Sequence, residues 1–379
     1  APAEHPVLRP HRLAVGFYDE DPATGKIVRT DRFELDVDGE STVVAAAAGK
    51  KRPAFILVND DDLTYTKLRF DADSLSFALA NLQRFDDALA RAVVWLSLWD
   101  MTRDGDLAAE KFIDTTLALL ATETESTTFR YALSCMSTTA WHYTAPDRRA
   151  DVVKHIAKEL WKLVIAAPGG SDQQFQLVTA YLGYGEEGDA EFAEHAQGLF
   201  DGSLIVAGLE IDNNFTWTII NALSSVKLID QAGIDAQLAK RDTTENREFA
   251  LGAHAVRGDA AAKEWAWNEA LNNADLTNMQ LEAVARGFGA TPRPDLAEPY
   301  AAKYYDVVDW VWKNKSFHMA EALLEGLYPY YADPATLVEL GHRWLTDHED
   351  ADNALKRIVR GNVESSQRTL KVRDFNAAL

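Results

Sequence analysis

The sequence predicts a mostly α-helical protein: a curved α-solenoid of about 17 short helices, preceded by a small antiparallel β unit. Three observations predict it. The hydrophobic pattern alternates up to about residue 72 and takes a helical period beyond it. Turn-formers punctuate the early apolar runs, and helix start and stop signals recur through the rest of the chain. At roughly 150 residues per domain, 379 residues suit two domains, or one small domain joined to one long one.

In the early segment, Leu13, Val15 and Phe17 alternate with small or polar neighbours, as do Phe33, Leu35 and Val37. Val43–Val44 and Phe55–Val58 are shorter, continuous apolar runs. Asp21-Pro22 with Gly25, Asp38-Gly39, and Gly49 with Pro53 supply the turns between them. A unit of about 65 residues buries little core by itself and should lean on the helices after it.

Past residue 72 the chain reads as helix after helix. Ala109, Phe112, Ile113, Thr116, Leu117 and Leu120 trace one helix face; Val152, Val153, Ile156, Leu160, Leu163 and Val164 trace another. Ser171 with Gln174 and Thr277 with Gln280 have capping-box spacing. Asp333-Pro334 places an N-cap before a first-turn proline, and Pro168-Gly169-Gly170 stops a helix that begins after Pro146. So many short helices seldom make one round core. Stacked pairs, as in HEAT and armadillo arrays, let each pair bury its apolar face on the next, and such an array offers a concave binding face.

Composition narrows the function. With 47% hydrophobic and 26% charged residues the chain is neither disordered nor collagen-like, and no apolar run approaches the roughly 18 residues that span a bilayer. No basic stretch followed by an apolar core opens the chain, so neither a secretion signal nor a membrane partner is expected. Lys and Arg total 38 against 59 Asp and Glu, a net charge of −21. Such a surface repels phosphate backbones, which argues against nucleic acid and favours cationic ligands. Cys135 is the only cysteine, which excludes an intrachain disulfide and a cysteine-clustered zinc site and points to the cytoplasm.

Motifs for chemistry are missing. None of the nine histidines has the spacing that sets two imidazoles and a glutamate on one helical face; His342 and His348 stand six apart, and His348-Glu349 meets Asp352 where a second histidine would be needed. No Gly-x-Ser-x-Gly occurs, and Cys135, on an apolar helix face, reads as a buried thiol. Gly183-Tyr184-Gly185 and Gly287-Phe288-Gly289 lack the strand before and helix after that a phosphate loop requires, and read as helix C-caps. Asp60, Asp61 and Asp62, and the group Asp347, Glu349, Asp350 and Asp352, lack glycine-punctuated calcium spacing. The tryptophan pairs 95/99, 265/267 and 310/312 read mostly as helix packing. No catalytic, metal or cofactor-binding residue is assigned.

Several strings, in order, resemble the C-terminal part of the aminopeptidase N family of zinc metallopeptidases, in its actinobacterial branch. Asn59-Asp60-Asp61-Asp62-Leu63-Thr64-Tyr65, leading to Arg69-Phe70-Asp71, is similar to the stretch that closes the family's β-sandwich domain. Asp87 to Arg91 with Trp95, then Trp99-Asp100 to Gly105, is similar to the opening of its helical domain. Val206-Ala207-Gly208-Leu209 through Asn213 to Trp217, then Arg241-Asp242, and Arg257 to Lys263 with Trp267, continue the match. The chain departs at Thr216, where the family has arginine before the tryptophan, and at Gly258-Asp259, where it often has proline.

The resemblance implies a domain plan: residues 1–6 a linker, 7–71 an incomplete β-sandwich lacking its first strands, and 72–379 the helical superhelix. It also implies that the zinc motif and the Gly-x-Met-Glu-Asn string lie in an upstream catalytic domain, since neither is in this sequence. The chain, which begins at Ala1, then reads as a fragment that needs no cofactor of its own, the zinc belonging to the intact parent enzyme. Its implied role is non-catalytic: a bowl that encloses the active site and gates peptides, with the upstream catalytic domain and peptide substrates as partners. A free-standing helical scaffold that binds a peptide or protein is the alternative.

Overall fold

The computed structural model describes residues 7–379, so the expected linker, residues 1–6, lies outside the described residues. Three strands come first: β1 (His11–Glu20), β2 (Ile27–Val37) and β3 (Phe55–Val58). Helices follow as α1 (Ala72–Asn81), α2 (Ala88–Asp104), α3 (Ala109–Leu120), α4 (Ser126–Thr138), α5 (Arg149–Ala166) and α6 (Asp172–Leu182). Next come α7 (Ala190–Asp201), α8 (Asn213–Ser225), α9 (Gln231–Lys240), α10 (Thr244–Ala255), α11 (Ala260–Asn272) and α12 (Asn278–Gly289). The last are α13 (Pro294–Ala297), a single turn, α14 (Ala301–Asn314), α15 (Phe317–Gly326), α16 (Pro334–Asp347) and α17 (Asn353–Ala377). The fold is mostly helical with a small antiparallel sheet at its start, as the change of hydrophobic period predicts.

The chain forms two compact units, one running to Thr144 and including Phe375–Leu379, the other Ala145–Asp374. In the first, strand order is β2-β1-β3, both pairings antiparallel. β1 is central and buried on both faces. Leu13, Val15 and Phe17 gather with Phe33, Val44 and Ile56 on one side, while Tyr18, Phe55 and Phe85 pack as aromatic neighbours on the other. The Val43–Val44 run forms no strand. It leads into a 3-10 turn at Ala45–Ala47, and Val44 and Ala47 cover the sheet face instead of extending it, which gives those side chains apolar contact without a ladder partner.

Helix starts show where part of the acidic composition goes. Asp71, Asp87, Asp189, Asp212, Asp230, Asp259 and Asp333 each accept backbone N–H groups at the N-cap of their helix, where a carboxylate also meets the positive end of the helix dipole. Thr277 and Gln280 form the expected reciprocal box. The Ser171 box is half formed: Ser171 accepts from Gln174 N, but the Gln174 side chain accepts from Gly170 N, not from Ser171.

In the second unit, sequential helices pack as pairs, and alternate helices α6, α8, α10, α12 and α15 pack side by side as a row. The later pairs share a core that runs from Ala255 to Val363 and includes Trp267, Tyr304, Tyr328 and Trp344, while Trp217, Ile220, Ile234, Ala250 and Ala253 form a separate cluster before it. Gly287 and Gly289 correct their expected role as C-caps. Both lie inside the last turn of α12, where a Cβ on Gly287 would come 2.7 Å from Gly252 O of α10, and one on Gly289 would come 2.6 Å from Gly326 O of α15. They are glycine because the helices of this row meet backbone to backbone.

Candidate functional site

A groove of about 560 Å³ lies between α12 and α15. Glu282, Arg286 and Gly289 line it from α12; His318, Glu321, Glu325 and Gly326 line it from α15, with Tyr330 at one end. The helical spacing explains the placement. Glu282, Arg286 and Gly289 succeed one another at intervals of four and three, and so do His318, Glu321 and Glu325 at three and four, so each set lies along one helical face. The glycines let the two backbones close beneath them.

Charge in the groove is partly paired. His318 Nε2 lies 3.0 Å from Glu282 Oε1 across the two helices, and Arg357 of α17 reaches Glu321 at 3.4 Å. Glu325 has no ion-pair partner among the described residues. The lining therefore favours a cationic or zwitterionic ligand over an anionic one. It offers binding groups and no nucleophile.

Directly behind α12 lies Lys263, buried in α11. Its Nζ donates to Ala255 O at 2.6 Å, to Gly287 O and Phe288 O at 3.2 Å each, and to Thr291 Oγ1 at 2.5 Å. A buried ammonium at the C-terminal carbonyls of α10 and α12 answers their dipoles and their unpaired acceptors together. Burial nonetheless outweighs those acceptors and pushes the amine down to about 7.

The other residues singled out in the sequence do not converge on this groove. Tyr65 is fully exposed on the loop before α1. Arg69 binds Asp104 and Asp106, and Asp71 caps α1 while pairing with Arg52. Arg91 is buried, its Nε and Nη2 donating to the two oxygens of Glu123 at 2.7 and 2.9 Å and its Nη1 to Phe85 O. Trp95 and Trp99 both pack on Phe112, Trp95 also donating Nε1–H to Thr116, and Asp100 lies half-buried in the same helix, α2. Gly208, at φ 81°, lies so close to Gly169 that a Cβ would overlap its carbonyl carbon, and Leu209 comes next in the same turn, donating its N–H to Val206 O. Trp217 is core, packed on Phe249. At the departures, Thr216 donates its hydroxyl to Asp212 O within α8, and Gly258 passes so close to Ser225 O that no side chain fits.

The acidic clusters resolve as structure. Asp60 is buried, accepting from Tyr18 OH at 2.6 Å and Arg29 at 2.7 Å; Asp61 takes Arg29 and Arg32. Asn59, Asp61 and Asp62 hold φ of 57°, 65° and 52°, a tight left-handed turn clamped by Asn59 hydrogen bonds to Thr64. Among the described residues no group of three or more His, Cys, Asp or Glu converges as a metal site. His348 is occupied by Trp344 O and Asp309. Burial pushes the Cys135 thiol up to about 12, which leaves it inert.

Sequence reasoning does not find the groove, because His318 and Glu282 are 36 positions apart and meet only through stacking of alternate helices. The signal available was the small-residue pattern at Gly252, Gly287, Gly289 and Gly326, which marks where two helices approach.

The profile of the ERAP1-like C-terminal domain matches residues 55–368. Over 373 residues the chain is 34% identical to the aminopeptidase N of Streptomyces lividans, an alignment that takes in 98% of this chain and 43% of that relative. The chain thus spans less than half the length of the curated relative it matches.

Proposed function

Because the chain belongs to the ERAP1-like C-terminal domain family, we propose that it is the non-catalytic C-terminal region of a zinc-dependent aminopeptidase, an enzyme that removes N-terminal amino acids from peptides. In this reading its helices form the bowl that encloses the active site and gates peptide access. The observation that carries the reading is the family match across 55–368, joined to near-complete alignment with an aminopeptidase N. The described side chains do not fit a zinc site, so no catalytic step is assigned to them. The metal and the water it activates belong to the upstream catalytic domain, which is the chain's first partner; peptides are its second.

What this chain contributes is selection. Its net charge of −21 raises the local concentration of protonated peptide N-termini. Among the described residues no helix is long and apolar enough to cross a membrane. With its lone, buried Cys135 the chain suits the reducing cytoplasm, where we place it.

The test compares this chain alone, the parent polypeptide, and the parent truncated before Ala145. The chain alone should not hydrolyse leucine p-nitroanilide, and the parent should. Truncation should shift the ratio of kcat/KM for a ten-residue peptide to that for the anilide, since only the long substrate needs the bowl. Turnover by the isolated chain, or an unchanged ratio, would defeat the reading.

A further inference from the structure

Two arginines in this protein are equally buried, each 9% exposed, and their surroundings differ. Arg91 directs its Nε/Nη2 edge at both oxygens of Glu123, the side-on fork in which a guanidinium binds a carboxylate with two parallel hydrogen bonds. Arg149 has the same two atoms, Nε and Nη2, shielded from solvent and without any hydrogen-bond partner in the protein. A buried guanidinium edge with nothing to bind is costly, and such groups are otherwise satisfied.

Arg149 has a carboxylate, Glu186, in its surroundings, yet its Nε/Nη2 edge bonds to none. Arg149 lies in the first turn of α5, and unlike most helices of this chain α5 has no side-chain cap on its leading N–H groups, the acidic residue of that turn being Asp151. Tyr331 and Glu186 are the groups that favour its charge, and burial overrides both to lower its pKa. Glu186 makes no ion pair with it, and its own pKa is raised, by burial first and then by Asp189. Arg373, whose charge Asp333 favours, is held down to about 10 by burial and then by the charge of Arg149. The region thus gathers two guanidiniums, a phenol and a helix start without a side-chain cap, and no carboxylate bonds the Nε/Nη2 edge of Arg149.

We propose that the Nε/Nη2 edge of Arg149 is a binding site for a small oxyanion, a carboxylate- or phosphate-type group that presents two oxygens in the manner of Glu123 on Arg91. The anion supplies the missing acceptors, neutralises the repulsion between Arg149 and Arg373, and ties the start of α5 to the segment carrying Tyr331. Because both nitrogens are shielded, the anion enters only through local opening of the protein around them. The inference is independent of the aminopeptidase reading, since it needs only this chain.

The test uses the whole 379-residue chain, with acetate and phosphate as probes against chloride at matched ionic strength. Acetate or phosphate should raise the thermal midpoint above its value in chloride, and calorimetry should show one site. Arg149→Lys keeps the charge and loses the fork, and should weaken that binding at least tenfold; Arg149→Met should abolish it. If the methionine variant does not fold, the lysine variant decides. A peptide with a free C-terminus that displaces acetate, while its amide does not, would assign the carboxylate to a peptide end; displacement by neither would assign it to a free small anion. Midpoints that do not distinguish the anions, or a shift that survives in Arg149→Lys, would overturn the site.

Discussion

Lys263 shows how a single buried charge can organise two helices. Its three carbonyl acceptors and one hydroxyl acceptor lie in the interior, so Lys263→Met leaves them unsatisfied at about 1–3 kcal/mol for each one that finds no substitute. A total loss of roughly 3 kcal/mol is expected in denaturant unfolding. The pH dependence has a definite sign. With the folded amine at about 7 and the unfolded one near 10.4, the unfolded chain binds the extra proton between these values, so wild-type stability rises with pH from about 7 upward. The Lys263→Met variant lacks this rise, and its deficit should therefore widen between about pH 7 and pH 9. Glu123 behaves in the opposite way. Burial raises its pKa, but Arg91 and the N–H groups of Thr124 and Glu125 more than offset that and hold it below the ordinary carboxylate range. Its stabilisation is complete above that range and lost as pH falls through the folded value. Glu123→Gln should cost about 3 kcal/mol at neutral pH by stranding Arg91, and should flatten the acid limb of a stability profile. Neither residue announced its role in the sequence. Arg91 and Lys263 were legible as family-signature positions, but Glu123 lies 32 positions from the first and Gly287 24 positions from the second, in other elements.

At the scale of elements, start signals were the most legible feature, because a cap is a local hydrogen bond between near neighbours. Asp333-Pro334 and Thr277 with Gln280 are read directly from spacing. Glycines were harder, since the same residue serves a left-handed turn or a close crossing. Gly39 and Gly49 are turns with positive φ and open space; Gly287 is helical and crowded. This contrast can be measured. Gly287→Ala drives a methyl against Gly252 O and Ala255 Cβ, 2.7 and 2.8 Å away, and should cost about 1–3 kcal/mol as α10 and α12 are pushed apart. Gly361→Ala, in α17 with nothing within 4 Å, should stabilise by about 0.5–1 kcal/mol through helix propensity. Equal effects of the two substitutions in thermal unfolding would contradict the backbone contact.

For the whole molecule, composition foretold an acidic protein and hydrophobic period a mostly helical one, and the change of period near residue 72 falls where β3 has ended and α1 begins. It did not foretell the groove, which depends on which helices become neighbours two steps apart. The charge has two uses that composition cannot separate. Some carboxylates, such as Asp259, cap helices, while Glu282, Glu321 and Glu325 face a concavity. If the second group steers peptides in the parent enzyme, raising ionic strength from about 50 to about 500 mM, across which screening shortens the reach of exposed charge several-fold, should lower kcat/KM for a lysine-rich peptide more than for a neutral one. An equal response of both peptides would remove the steering argument.

The glycine contacts along α10, α12 and α15 bear on how this row can deform. Where two helices touch through side chains, rotamer changes let one roll on the other; where a glycine rests on a carbonyl oxygen there is no such bearing. Adjacent members can slip lengthwise but cannot roll, so the row yields in the way a leaf spring does, by many small slides shared along its length. A ligand that wedges between α12 and α15 would then be felt at α10.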